Sequence, residues 1–175
     1  TGLVGGMTFG GLLAQNVVAG DATALLYRVD LRAGVLSVLA SDEAVIEASI
    51  DSTASSSGSL IGGGLAANGV IATNTVLSQA LADVKASKVL TLTGGVDIRA
   101  LENASIDAVN QSLTTSEGSS IGLTMAFNTV GWKADGVLAL AKDALVGGQV
   151  GTEQPARSRA SVQDSSIESA GAIVI

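Results

Sequence analysis

The sequence LAANGV at residues 65–70 decides the fold, because the chain contains two close variants of it. They are LAQNVV at residues 13–18 and MAFNTV at residues 125–130. The three copies begin 52 and 60 residues apart (65 − 13 and 125 − 65). Self-similarity at such a long period is typical of repeat architectures, in which each unit buries its apolar face on its neighbours. The sequence therefore predicts a stack of similar modules.

The similarity extends beyond this phrase. Residues 38–48 align with residues 98–108, and Leu31 aligns with Val89 and then with Ile167 at spacings of 58 and 78 (89 − 31 and 167 − 89). We therefore predict a single domain of nearly three repeats, each of about 60 residues. The approximate bounds of the repeats are 1–58, 59–118 and 119–175.

The composition predicts strands with a small-residue interior. Hydrophobic residues make up 47% of the chain but aromatic residues only 2%, and Pro occurs once, so aliphatic side chains must fill the core. Apolar residues alternate with small polar ones over short stretches, and Gly, Ser, Asn and Asp interrupt them. Such stretches include Leu36, Val38 and Ala40; Ile46, Ala48 and Ile50; Val96, Ile98 and Ala100; and Ala160 and Val162. The chain is thus expected to be all-β.

A unit of about 60 residues fits three rungs of a β-solenoid, each of about 20 residues, which gives about eight rungs in all. The Asn of the repeated phrase, which is Asn16, Asn68 and Asn128, is then expected at a turn, because Asn tolerates a left-handed bend. Equivalent positions three rungs apart would be separated by about 14 Å. On this prediction the three Asn side chains do not touch one another.

One segment departs from the strand pattern. Between residues 137 and 146 the apolar residues recur at helical spacing, which predicts a short amphipathic helix in an insertion near 136–150. Asp135 is placed to cap its start, and Gly147 and Gly148 to end it. The favoured role of this helix is to shield one side of the solenoid, and the alternative is a contact surface.

These features together resemble the repeats of giant secreted bacterial surface proteins, the β-helical adhesins of the filamentous-haemagglutinin and leukotoxin-like type. The resemblance rests on the repeated Asn phrase, on segments such as Ser-Ile-Asp-Ala at residues 105–108, and on Gly-Thr-Glu-Gln-Pro-Ala at residues 151–156. It implies a right-handed parallel β-helix within a long exoprotein at the cell surface or outside the cell. Trp132 and Lys133 depart from the pattern, since such repeats usually carry small polar residues there.

Charge and cysteine content agree with this placement. The net charge of −7 argues against nucleic acid as a partner, because phosphates require a basic surface. The chain has no Cys, so it forms neither disulfides nor thiolate metal sites. No cofactor is expected.

Two other readings of the glycine-rich stretches are weaker. The uncharged residues 1–20 and 52–82 are long enough to suggest membrane helices, but Ser, Thr, Asn and Gly crowd them, and we expect no membrane insertion. Gly62, Gly64 and Asp83 imitate a dinucleotide-binding fingerprint. A Ser-rich segment precedes these glycines where a buried strand should, so we interpret them as packing residues.

The sequence favours a protein that is not an enzyme. It contains no His, which excludes triads with a His base and His-ligated zinc. The recurring acids Glu47, Asp107 and Glu168 are expected to point outward and to lie too far apart to share a substrate bond. Asp42 and Glu43 are adjacent on a predicted strand and should point to opposite faces. A calcium site at an Asp-containing turn stays open as an alternative.

Trp132 and Lys133 are the candidate ligand contacts. An exposed indole beside a charge is a usual platform for stacking sugars. The favoured interpretation is structural, in which Trp132 covers the core beside the insertion.

The sequence thus predicts a structural stalk or fibre segment of an extracellular bacterial adhesin. Its expected partners are neighbouring repeats of the same parent protein or copies of itself stacked end to end, because an uncapped solenoid exposes strand edges. A module that binds glycan or a host surface is the alternative. A β-helical enzyme that cleaves polysaccharide is a third hypothesis.

Overall fold

The structure is a computed structural model that describes residues 7–56, 64–133, 136, 152–153 and 156–175. Within these residues the chain consists of β-strands and the turns that join them, so the predicted all-β class is confirmed. The predicted helix at residues 137–146 lies outside the described residues, as do its capping residues.

The described residues contain twelve strands. They are β1 (Met7–Tyr27), β2 (Asp30–Ala33), β3 (Leu36–Ser56), β4 (Leu65–Lys85), β5 (Lys88–Thr91), β6 (Val96–Ser116), β7 (Ser119–Val130), β8 (Trp132–Lys133), β9 (Thr152–Glu153), β10 (Arg157–Gln163), β11 (Ser166–Ser169) and β12 (Ile173–Val174). Four of them, β1, β3, β4 and β6, are each 21 residues long.

In the described residues the strands form three sheets to which the first and second repeats each contribute one strand, whereas the third repeat contributes two strands, β7 and β10, to the first of them. In the first sheet β4 pairs with β1 on one edge, and both β7 and β10 pair with β4. The second sheet has the order β2-β5-β11, and the third has the order β3-β6-β12. Among the described strands, β10 and β4, β11 and β5, β12 and β6, and β2 and β5 pair in parallel. The short strands β8 and β9 pair in the antiparallel sense.

The register between repeats confirms one sequence alignment. Leu31 lies beside Val89, and Val89 lies beside Ile167. In the third sheet the backbone N–H of Leu36 donates to the carbonyl of Gly95 at 3.2 Å, which sets Leu36 beside Val96. Equivalent positions of the first two repeats are therefore neighbours on adjacent strands.

This register corrects the predicted rung count. One repeat of about 60 residues makes one circuit of the three sheets, so the prediction of three rungs per repeat and about eight in all is wrong. The reason is strand length, since the alternation of inward and outward residues continues through all 21 residues of β6 without a break. The Gly and Asn residues that suggested turns, such as Asn68 and Gly69, lie inside β4.

The corner between the first and second sheets is built from residues that the sequence did not reveal. Arg28, Ala86 and Asp164 adopt positive φ angles of 53°, 50° and 50° at equivalent places in the three repeats. Their backbones also stack, because Arg28 N–H donates to Lys85 O and Ala86 N–H donates to Gln163 O, both at 3.0 Å. These hydrogen bonds satisfy polar backbone groups at the corner and offset part of the strain of the left-handed conformation.

The chain divides into two compact units. The described residues of the first lie within Thr1–Val17, Ile46–Thr75 and Ile106–Glu153, and those of the second within Val18–Val45, Val76–Ser105 and Gln154–Ile175. The core of the second unit contains Val84, Val96 and Ile98, each at most 1% exposed. The first unit has a smaller cluster of Ile50, Val70 and Ala72.

Candidate functional site

A ladder of asparagine side chains runs between strands inside the first unit. The Nδ2 of Asn16 donates to Oδ1 of Asn74 at 2.8 Å, and the Nδ2 of Asn74 donates to Oδ1 of Asn128 at 2.9 Å. The three residues lie in the middle of β1, in the middle of β4 and near the end of β7. Asn74 is fully buried, so both of its bonds form away from water, where an amide needs partners.

The ladder overturns two predictions. Asn16, Asn68 and Asn128 lie within strands, so the role of a structural turn is wrong. The predicted spacing of about 14 Å between equivalent positions of neighbouring repeats is also wrong, because neighbouring repeats are adjacent strands. The ladder joins Asn16 and Asn128 through Asn74 and not through Asn68. Sequence alignment paired Asn16 with Asn68, whereas the register pairs it with Asn74, 58 residues away.

Within the first unit, Asn68 of the first sheet connects that sheet to the third sheet. Its Oδ1 accepts from Ser52 Oγ of β3 at 3.0 Å, and its Nδ2 donates to Ser112 Oγ of β6 at 3.1 Å. It faces Gly10 of β1, where an added Cβ would come within 2.9 Å of the Asn68 Oδ1. The missing side chain of Gly10 thus leaves room for an amide that links the sheets.

The interior of the second unit contains two acidic residues. Asp42 of β3 and Glu102 of β6 are both half-buried, and Glu43 is exposed, so the prediction of opposite faces for Asp42 and Glu43 is confirmed. Glu102 Oε1 accepts a hydrogen bond from Ser78 Oγ at 2.8 Å. Asp42 Oδ2 is buried and has no hydrogen-bond partner within the described residues. Gly20 lies next to this carboxylate, because a Cβ added at Gly20 would be 3.1 Å from the Asp42 Oδ1.

A second acidic centre in that unit is an ion pair network on the outer face. The side chain of Asp83 is 5% exposed and is held by Ser161 Oγ at 2.6 Å and by Lys85 Nζ and Arg159 Nη2, both at 2.9 Å. Burial raises the pKa of Asp83, but the bonds from Ser161, Lys85 and Arg159 outweigh it, so the pKa is lowered from its ordinary value of 3.8. The carboxylate of Asp83 is therefore engaged by side chains of the protein itself, which argues against the dinucleotide-binding fingerprint. Gly62 of that motif lies outside the described residues.

Replacing Asp83 by Asn is expected to lower the free energy of unfolding by about 2 kcal/mol, because hydrogen bonds to a charged group are worth about 1.5–3 kcal/mol. A folded-state pKa below 3.8 means that the carboxylate stabilises the fold above about pH 4 and that this contribution disappears as the pH falls further. Urea unfolding at pH 7 and pH 3 measures both effects. The difference between wild type and Asp83→Asn should shrink at pH 3.

Asp97→Asn is the matched control. Asp97 pairs with Arg99 at 2.7 Å, but 39% of the Asp97 side chain is exposed, and exposed pairs are worth less than about 1 kcal/mol. Equal losses for Asp97→Asn and Asp83→Asn would contradict the special role of the Asp83 network.

The acids Glu47, Asp107 and Glu168 are exposed on the outer faces of their strands, as predicted. Glu47 and Asp107 nevertheless line one surface groove on adjacent strands, together with Ser49 and Val109. Neighbouring strands lie about 4.8 Å apart, so the prediction that these two carboxylates are too distant to act together is wrong. In the described part of the chain no group of three or more His, Cys, Asp or Glu side chains is placed to hold a metal ion.

The candidate ligand contacts, Trp132 and Lys133, form the short strand β8. Trp132 is 43% exposed and pairs with Glu153 of β9 in an antiparallel bridge, while Lys133 pairs with Thr152. Residues directly opposite in such a pair have their side chains on the same face. An exposed indole therefore has a carboxylate as its cross-strand neighbour, an arrangement that the sequence could not indicate because 21 residues separate the two (153 − 132).

Comparison of the chain with protein-family models, with curated proteins and with solved structures finds no match in any of the three. Among the described residues, no helix is both long enough and apolar enough to cross a membrane.

Proposed function

We propose that the chain is a right-handed parallel β-helix that serves as a structural stalk or fibre segment of a large extracellular bacterial adhesin or exoprotein. The observation that carries this proposal is the register: successive repeats lie side by side as parallel strands, with Leu31, Val89 and Ile167 in one column. Each added repeat extends the sheets by one strand, which is how a solenoid lengthens. The resemblance to adhesin repeats supports the placement outside the cell.

The interior supports a mechanical role. Backbone hydrogen bonds join each repeat to the next, and the asparagine ladder adds side-chain bonds in the same direction. Hydroxyl groups do the same at the corner, where Val29 N–H donates to Ser87 Oγ at 3.1 Å and Ser87 N–H donates to Ser165 Oγ at 3.0 Å. Interactions that repeat in register hold neighbouring repeats together without disulfides.

Surface labelling tests this proposal. An antibody raised against the 175-residue chain is expected to label intact cells of the bacterium that makes it, or to detect the protein in the culture medium. An antibody against a cytoplasmic protein is the control for cell integrity. Labelling that requires permeabilised cells, with none of the protein in the medium, would contradict an extracellular role.

A second candidate function is glycan binding, favoured by the exposed Trp132 with Glu153 opposite. Aromatic rings stack on sugars, and a neighbouring carboxylate accepts their hydroxyl groups. If the chain binds glycans here, Trp132→Ala is expected to abolish binding on a glycan array, because the stacking surface is lost. The control is Tyr27→Ala, since Tyr27 is also exposed and has Arg28 at 4.9 Å from its ring centre. Equal binding by wild type and Trp132→Ala, or none by wild type, would exclude this site.

We infer that the chain is not an enzyme that cleaves polysaccharide. Such chemistry needs one carboxyl group that acts as an acid and one that acts as a nucleophile or base. Glu47 and Asp107 are adjacent, but both are exposed on an outer face, where solvent gives the two groups similar surroundings. An assay for release of reducing ends from acidic and neutral polysaccharides tests this inference, and activity lost in Glu47→Gln would overturn it.

A further inference from the structure

Two segments of β6 contain an Asn that is followed, after one intervening residue, by a Ser. They are Asn103-Ala104-Ser105 and Asn110-Gln111-Ser112, and the other four Asn residues of the chain lack a Ser or Thr at that place. An Asn in this context is the acceptor for N-linked sugars in secreted proteins. The sequence gives the two segments equal standing, so only the structure distinguishes them.

The first segment faces outward. Asn103 and Ser105 are two residues apart in a strand, so their side chains lie on one face, and both are exposed. The neighbour of Asn103 on β3 is Glu43, because the two strands are in register at a spacing of 60 residues (96 − 36). Glu43 is exposed as well. The amide of Asn103 and the hydroxyl of Ser105 are therefore presented together to solvent.

The second segment faces the interior. Asn110 is half-buried, and both atoms of its amide group, Oδ1 and Nδ2, are buried. The hydroxyl of Ser112 is engaged, since its Oγ accepts a hydrogen bond from Asn68 Nδ2 at 3.1 Å. An enzyme that modifies such a segment needs access to both the amide and the hydroxyl. The folded chain therefore hides this second segment.

The surroundings of Asn103 favour an attached sugar. Leu101 lies on the same outer face of β6 and is 54% exposed. Val45 of β3 lies beside Ser105 in the same register and is 50% exposed. A sugar ring has a face of C–H groups, so a sugar attached to Asn103 removes these aliphatic side chains from water, which is favourable.

We propose that Asn103 is a glycosylation site, at which a sugar is linked to the amide nitrogen, and that Asn110 stays unmodified. The donor is a sugar activated as a diphosphate, and the cell that makes the chain supplies both it and the transferase. A bond forms between Asn103 Nδ2 and C1 of the sugar, and the bond between that C1 and a phosphate oxygen breaks. The diphosphate leaves with the electron pair of the broken bond. The proton lost from Nδ2 passes to a base of the transferase or to water.

Mass spectrometry of the protein isolated from the cells that produce it tests this site. Trypsin releases residues 100–133 as one peptide, because Arg99 and Lys133 bound it and no Lys or Arg lies between them. The peptide is expected to carry the added mass of a sugar, and its fragments are expected to assign that mass to Asn103. Asn103→Gln should lose the added mass, and Asn110→Gln should keep it.

Ser105→Ala and Ser105→Thr are the matched variants, because both leave Asn103 in place and change an exposed side chain. Circular dichroism checks that both fold. Ser105→Ala is expected to lose the sugar and Ser105→Thr to keep it, since only Thr retains the hydroxyl that the segment requires.

Three results would overturn this inference. They are an unmodified peptide in the protein from its own cells, a sugar on Asn110, and equal modification of Ser105→Ala and the wild type. An unmodified protein that still labels intact cells would leave the proposed function standing.

Discussion

Replacing Asn74 by Ala is expected to lower the free energy of unfolding by about 2–4 kcal/mol. The substitution removes the hydrogen bonds to Asn16 and Asn128, each worth about 1 kcal/mol, and leaves a space in the interior. Asn74 is fully buried, so water has no direct access to replace either bond. Unfolding in urea, followed by circular dichroism in the strand region, measures the loss.

Asn103→Ala is the matched control for Asn74→Ala. Asn103 also lies in a long strand, β6, but its side chain is on the exposed outer face. Surface substitutions of this kind change stability by about 0.5 kcal/mol or less. If Asn74→Ala cost no more than Asn103→Ala, the ladder would not contribute to the stability of the fold.

Gly95→Ala is expected to be the second most damaging single change, with a loss of about 1–3 kcal/mol or more. An added Cβ would overlap the carbonyl oxygen of Ala172 and would lie 3.3 Å from the Ala172 nitrogen. Both atoms belong to the backbone, and Val96 N–H donates to the same carbonyl at 2.9 Å. The turn of one repeat therefore cannot make room without breaking its hydrogen bond to the next.

Gly69→Ala separates this close approach from the general effect of removing a glycine. No atom lies within 4 Å of an added Cβ at Gly69, and glycine in a strand interior is usually less stable than alanine by about 0.5–1 kcal/mol. We expect Gly69→Ala to be neutral or stabilising. Thermal unfolding measures both variants. A comparable loss of stability in Gly69→Ala and Gly95→Ala would show that the close contact between Gly95 and the Ala172 backbone does not make Gly95→Ala costly.

Much of the fold was predictable because alternation and period are local signals. The inward positions Val38, Ala40 and Ile46 follow from alternation alone, and all three are buried. The rung count was not predictable in the same way. Asn and Gly ordinarily interrupt strands, and only the neighbouring repeat gives Asn74 its two partners and Asn68 the space that it fills.

The ion pair network was missed because its members are far apart in the sequence. Asp83 is 76 residues from Arg159 and 78 from Ser161. A signal was nevertheless present, since the spacing of 78 that aligned Val89 with Ile167 also places Ser161 beside Asp83. The pairing of Trp132 with Glu153 carried no such signal, because it is a short antiparallel bridge within the third repeat, whereas the period of the sequence aligns one repeat with the next.

The measurement that tests the central claim most directly is a disulfide within one chain between neighbouring repeats. The claim is that one repeat makes one circuit, so Glu47 of β3 and Asp107 of β6 are adjacent. The double variant Glu47→Cys/Asp107→Cys, oxidised at low concentration, is predicted to form the bridge, as measured by mass spectrometry of the digested monomer. Glu47→Cys/Leu113→Cys, in which the second cysteine is displaced from position 107 by about 20 Å along β6, should stay reduced. Equal bridging in both variants, or none in the first, would contradict the one-circuit repeat.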